Sequence, residues 1–108
     1  MNKVDMEIKS QILVVLAREG IPVTKIILFS SRARVGSRED SDYDILVIVA
    51  KPLAFKDKIE VSEKIRDRLV KLDIASDIMV KSEADIECYR NKIGSVVGEA
   101  LREGVTIW

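Results

Sequence analysis

Histidine is absent from this 108-residue chain, and cysteine occurs only once. Without histidine the chain cannot build a Ser-His-Asp or Cys-His catalytic group, nor a zinc site of cysteines and histidines. A single cysteine cannot form an internal disulfide, which fits a reducing compartment such as the cytoplasm. Any catalysis must therefore use carboxylates, hydroxyls, cations, or hard metal ions bound by oxygen.

The chain also lacks an excess of charge and a long apolar segment. Lys and Arg number 18 and so do Asp and Glu, so direct binding of nucleic acid through positive charge is not expected. No apolar run approaches the roughly 18 residues of a membrane span, and no signal-peptide core begins the chain. We therefore expect a cytoplasmic protein that does not bind membranes.

The hydrophobic pattern predicts one folded domain over residues 1–108. An apolar fraction of 47% and only two prolines exclude general disorder, and the length suits a single compact core. The alternation of helix-like and strand-like segments predicts an α/β (α+β) domain, in which helices pack on one small sheet. The predicted helices cover 5–19, 55–72 and a segment ending at Gly104, and the predicted strands cover 24–29, 43–50 and 74–80. Residues 105–108 are expected to form a short terminal strand or a docking tail.

Two of these elements carry more detailed expectations. The segment YDILVIVA over 43–50 is apolar in both alternations, which predicts a strand covered on both faces. In the helix over 55–72, helical spacing predicts that one buried face is shared by Ile59, Ile65, Leu69 and Leu72.

Acidic residues mark the start of the strand over 43–50. Asp42 and Asp44 are two residues apart, so their side chains leave the same face of the strand about 6.6 Å apart. A divalent ion would remove their repulsion, and Mg²⁺ binds carboxylate oxygens while leaving positions for substrate phosphates. Two such ions can stabilise the attacking oxygen and the leaving oxygen of an in-line phosphoryl transfer. A third acid is expected from the neighbouring strand, and we predict Asp77 in this role, whereas Asp73 ends the preceding helix.

A candidate phosphate site follows the strand over 24–29. Ser30 and Ser31 stand where a strand ends and a helical turn is predicted, and free backbone N–H groups there favour an anion. Arg32 and Arg34 are nearby cations that can neutralise a triphosphate. The alternatives without a functional role are that the acids only mark a solvated start of the strand and that at least one arginine is simply solvated at the surface.

These residues resemble a known motif. Ser31, ten further residues and Asp42-Tyr43-Asp44 resemble the Gly-Ser and Asp-x-Asp motif of nucleotidyltransferases of the DNA polymerase beta superfamily. The segments LFSSRAR at 28–34, SDYDILV at 41–47 and ALREGV at 100–105 resemble the minimal nucleotidyltransferases, the MntA-like antitoxins, and extend the similarity to nearly the whole chain. One departure is Ser30, which stands where the family has glycine.

The resemblance implies a nucleotidyltransferase fold with one mixed sheet, and a Mg²⁺-dependent transfer of AMP from ATP to an acceptor hydroxyl. It also implies a partner, a HEPN-domain toxin that this protein modifies as its antitoxin. Two alternatives stay open: a degenerate domain that neutralises its partner without turnover, as Ser30 suggests, and transfer to a small molecule. The implied site residues are Asp42, Asp44 and Asp77 for catalysis and for binding two Mg²⁺ ions, and Ser30, Ser31, Arg32 and Arg34 for the nucleotide.

Overall fold

The computed structural model describes residues 2–29, 43–90, 92 and 94–108. These residues form helices and strands in mixed order, as the sequence pattern predicts. No helix in them is long and apolar enough to span a bilayer. The elements are α1 (Lys3–Arg18), β1 (Val23–Phe29), β2 (Tyr43–Val49), α2 (Phe55–Val70), β3 (Ser76–Ser82), α3 (Glu83–Tyr89), α4 (Val96–Glu103) and β4 (Val105–Thr106).

The strands of the described residues form one mixed sheet in the order β3-β2-β1-β4. Strand β1 pairs antiparallel with both β2 and β4, whereas β2 and β3 are parallel. A parallel pair requires a crossover connection, and α2 provides it between β2 and β3. The mixed sheet implied by the sequence resemblance is therefore confirmed.

Helices cover both faces of the sheet, as predicted for the apolar segment of β2. Ile45, Val47 and Val49 pack in one core with the buried residues of α1 and α2. Leu46 and Ile48 point to the other face and pack in a second core with residues of β1, α3 and α4. Because successive side chains of a strand alternate between faces, every residue of β2 can be assigned to one of these two layers.

Helix α1 follows its sequence pattern closely. The apolar positions predicted for α1 are all buried, and they lie in the core that also contains residues of α2: Ile8, Ile12, Val15 and Leu16. The Asn2 side chain accepts a hydrogen bond from the Asp5 amide at 2.8 Å and so begins the helix. Gly20 adopts a φ of 69°, a left-handed conformation that favours glycine just after a helix.

Two predictions about the helices are wrong. Ile59 is 41% exposed, and Leu72 is 43% exposed and lies in the turn after α2. The buried face of α2 instead consists of Val61, Ile65 and Leu69. The buried face of α2 is narrower than predicted because the helix packs against β3 and α1 along a single stripe. The second error is the omission of α3, which has only 7 residues and too few turns to show a helical period.

Candidate functional site

The register of β2 and β3 brings two of the predicted acids side by side. Asp44 and Asp77 are partners across this parallel pair. Since neighbouring strands lie about 4.8 Å apart, the two carboxylates leave the sheet at adjacent positions. The expectation that the third acid stands on the neighbouring strand is confirmed for the strand, while the metal-binding role of the two acids stays a prediction.

Both carboxylates lie on the face of the sheet that α3 and α4 cover further along. Asp44 alternates with Ile45 and so shares its face with Leu46, while Asp77 shares its face with Met79, which packs in the same core as Leu46. Asp77 is exposed and Asp44 is half-buried. The pair is therefore accessible from solvent while standing on the rigid framework of the sheet.

On the side away from Asp77, the neighbour of Asp44 is the last residue of β1. Phe29 pairs with Asp44, so β1 ends beside the carboxylate pair, and the predicted phosphate site follows it directly in sequence. Asp42 likewise comes immediately before Tyr43, the first residue of β2. The remaining predicted site residues lie outside the described residues: Ser30, Ser31, Arg32, Arg34 and Asp42.

Asp73 and Asp77 have different surroundings. Asp73 lies in the turn after α2 with a φ of 63°, whereas Asp77 is the second residue of β3. Left-handed backbone of this kind is tolerated by aspartate in turns. Asp73 thus belongs to the end of the helix, as predicted.

Two adjacent carboxylates are chemically suited to a hard cation. Oxygen ligands of negative charge are those that Mg²⁺ prefers, and one or two carboxylates commonly suffice when substrate phosphates complete the coordination. Among the described residues no group of three potential metal ligands occurs. Asp44 and Asp77 therefore fit a Mg²⁺ site that additional ligands would complete.

The sequence matches a known protein family. The model of the family "Polymerase beta, Nucleotidyltransferase" matches residues 10–108. A search of curated proteins found no significant match.

Several solved structures share the fold. A crystal structure of a toxin–antitoxin with AMP-PNP is 24% identical, with a TM-score of 0.56 over 92% of this chain and 71% of the other. The MntA–HepT toxin–antitoxin is 21% identical, with a TM-score of 0.54 and coverages of 95% and 71%. The structure of the tri-AMPylated Shewanella oneidensis HEPN toxin in complex with MNT antitoxin is 22% identical, with a TM-score of 0.54 over 96% of this chain and 71% of the other. These likenesses establish the fold, and the family match covers nearly the whole sequence: the chain belongs to the polymerase beta nucleotidyltransferase family.

Proposed function

We propose that this protein is a Mg²⁺-dependent adenylyltransferase that transfers AMP from ATP to a hydroxyl of a HEPN-domain protein and acts as its antitoxin. The observation that carries the proposal is the pairing of Asp44 with Asp77 on one accessible sheet face, beside the end of β1. The family match supports nucleotidyl transfer. The structural neighbours support the acceptor and the donor, since they include an AMPylated HEPN toxin and a complex with an ATP analogue.

The reaction requires a nucleophile, a leaving group and charge neutralisation. The acceptor oxygen attacks the α-phosphorus of ATP, the bond to the β-phosphate oxygen breaks, and pyrophosphate leaves with that bond's electron pair. Bound Mg²⁺ would neutralise the phosphate charge at this step. Asp42, Asp44 and Asp77 would hold two ions, and Asp77 would also accept the proton of the acceptor hydroxyl, because the chain has no histidine for this role.

The triphosphate would bind where β1 ends. Ser30 and Ser31 would offer hydroxyl and backbone donors, and Arg32 and Arg34 would balance the negative charge. ATP is supplied by the cytoplasm, which we take to be the compartment in which the protein acts.

Labelled ATP tests the proposal directly. The protein is incubated with Mg²⁺, ATP labelled at the α-phosphate, and a HEPN-domain toxin as the acceptor, and the acceptor is analysed by mass spectrometry. We expect an adduct of AMP on the acceptor, lost in Asp44→Asn and kept in the control Glu63→Gln, an exposed acid of α2. An unmodified acceptor would contradict the proposal.

Metal dependence is measured separately by calorimetry. Uncompensated carboxylates repel a triphosphate, so ATP should bind with Mg²⁺ or Mn²⁺ and not in the presence of EDTA. Equal binding in both conditions would contradict the assignment of a metal to Asp44 and Asp77.

The second candidate is a domain that neutralises its partner without turnover. Ser30, in place of the family's glycine, is the observation that favours it, since a side chain there would approach the triphosphate. Neutralisation of the toxin by the Asp44→Asn variant, with no AMP on the acceptor, would identify this function.

A further inference from the structure

A second polar cluster, formed by Lys81, Tyr89 and Lys92, lies on the same side of the sheet as the carboxylate pair. The Nζ atoms of Lys81 and Lys92 are 5.5 and 5.1 Å from the centroid of the Tyr89 ring. Ammonium groups at these distances are attracted to the ring. Lys81 shares the face of Asp77 because the two are four residues apart in β3.

The acids nearest this cluster in sequence have other partners. Glu83 accepts a hydrogen bond from Thr24 Oγ1 at 2.6 Å. Asp85 pairs with Lys58 at 2.6 Å, and Glu87 pairs with Arg90 at 2.9 Å. Within the described part of the chain, neither lysine of the cluster forms an ion pair. Among the residues that the structure describes, the two positive charges near this ring thus have no acidic partner, and an anion between them would relieve their repulsion.

The cluster is open to a ligand from outside. Lys81 and Tyr89 are half-buried and Lys92 is exposed. Tyr89 packs against the core formed with α3 and α4. This packing fixes the position of the ring, and the ammonium groups of Lys81 and Lys92 lie next to it. A partly buried aromatic ring with charged neighbours is the type of residue that contributes strongly to protein interfaces.

The position of the cluster separates it from the nucleotide. Four residues of strand place Lys81 about 13 Å from Asp77, too far to contact the reacting atoms. Strand β3 also lies on the opposite side of β2 from β1, and the proposed phosphate site follows β1. A ligand of the cluster would therefore approach the carboxylates from the side of β2 that lies away from β1.

We infer that Lys81, Tyr89 and Lys92 bind an acidic segment of the protein that receives the nucleotidyl group. This inference rests on the proposed function, because it takes the acceptor to be a protein large enough to reach both sites. Carboxylates of that segment would satisfy the two ammonium groups, and the attraction would guide the acceptor to the sheet face that carries Asp44 and Asp77.

The binding test uses an oligoglutamate peptide as the probe and requires no transfer activity. The ¹⁵N-labelled protein is titrated with the peptide at low ionic strength, and in a second titration with ATP and Mg²⁺. The peptide should shift the amide signals of the cluster, and ATP should leave them unchanged. Peptide-induced shifts confined to other residues, or shifts of the cluster with ATP alone, would overturn the inference.

Charge variants provide the matched comparison. In Lys81→Met with Lys92→Met, affinity for the peptide should fall about threefold to tenfold, as expected for the loss of two partly exposed ion pairs. Lys81→Arg with Lys92→Arg keeps the charge and should keep the affinity. The control is Lys3→Met with Lys56→Met, two exposed lysines on α1 and α2. Equal affinity in the cluster and control variants would contradict the inference.

The acceptor itself distinguishes failure of this inference from failure of the proposed function. With the HEPN-domain protein, the methionine variant should show a raised KM for the acceptor and an unchanged KM for ATP. Unchanged kinetics together with unchanged peptide binding would refute the cluster alone. Peptide binding at the cluster without any labelling of the acceptor would refute the proposed transfer but would support the anion site at the cluster.

Discussion

Asp44 on β2 and Asp77 on β3 are register partners on adjacent parallel strands, with their side chains on one face of the sheet. Like charges at such positions destabilise a sheet. A pair of this kind is explained more simply by a ligand that neutralises it than by a contribution to folding.

Replacing both acids should therefore separate activity from stability. Asp44→Asn with Asp77→Asn is expected to abolish nucleotidyl transfer and to leave the free energy of unfolding unchanged or raised by up to about 1 kcal/mol. Mg²⁺ should raise the melting temperature of the parent protein and of Glu63→Gln but not that of the double variant. A double variant that melts early yet transfers AMP at low temperature would show that the pair is structural.

Ser30 is the position at which this sequence departs from the family motif. We expect the serine to be tolerated, because Ser31 and the neighbouring arginines still offer donors to the phosphates. Ser30→Gly should then change the transfer rate little, and it should weaken ATP binding by about 0.5–1.5 kcal/mol if the hydroxyl donates to a phosphate. Transfer rate and calorimetric affinity are measured beside the parent. Strong transfer in the glycine variant, with none in the parent, would identify the natural protein as a binding module.

Asp85 is expected to make the protein sensitive to acid. Burial by itself would raise the pKa of this carboxyl, but hydrogen bonds from Lys58 and from the Ser82 amide, with the Lys58 charge, lower the pKa on balance. Because the folded pKa lies below the ordinary value of 3.8, the carboxylate stabilises the fold at higher pH, and this contribution is lost as the pH falls through the lowered pKa.

Unfolding in urea at pH 7 and near pH 3 measures this effect. Asp85→Asn removes the ion pair and half of the capping box with Ser82, so it should cost about 1 kcal/mol at pH 7. The difference from the parent should shrink at low pH. Glu87→Gln, which breaks an exposed pair with Arg90, serves as the control and should change stability little. A constant difference at both pH values would contradict the role of the Asp85 charge.

Gly104 is expected to be required by close packing at the end of α4. A Cβ atom at this position would lie 2.5 Å from the Ala100 carbonyl oxygen and 3.0 Å from that of Leu28, and would also overlap the Ile27 side chain. Gly104→Ala should therefore destabilise the protein by about 1–3 kcal/mol. It should also speed hydrogen exchange at Ile107, whose amide donates to the Ile26 carbonyl at 2.8 Å.

Gly20→Ala is the matched control for packing. Its left-handed φ of 69° strains an alanine, but apart from the adjacent residues of the chain no atom lies within 4 Å of the added Cβ. This variant should lose stability without faster exchange at Ile107. Equal exchange in the two variants would show that Gly104 is not held by contact with β1.

Local periodicity in the sequence by itself determined most of the elements. The strand β2 is apolar in both alternations and is covered on both faces, and Ile8, Ile12 and Leu16 are fully buried in α1 as their spacing predicts. These features depend on the repeat of the backbone itself, 2 residues in a strand and about 3.6 in a helix, so a short stretch of sequence is enough to show them.

Only the tertiary structure decided which distant segments meet. The burial of Val61 in place of Ile59 depends on where α2 contacts the sheet, and α3 is too short to have a period, although Ser82 and Asp85 have the spacing of a capping box. The partnership of Asp44 with Asp77 follows from the parallel register of β2 and β3, and the approach of Lys81 and Lys92 to Tyr89 follows from the packing of α3. Pairing between strands and packing between layers are set by the whole core, so no local pattern could show these neighbours.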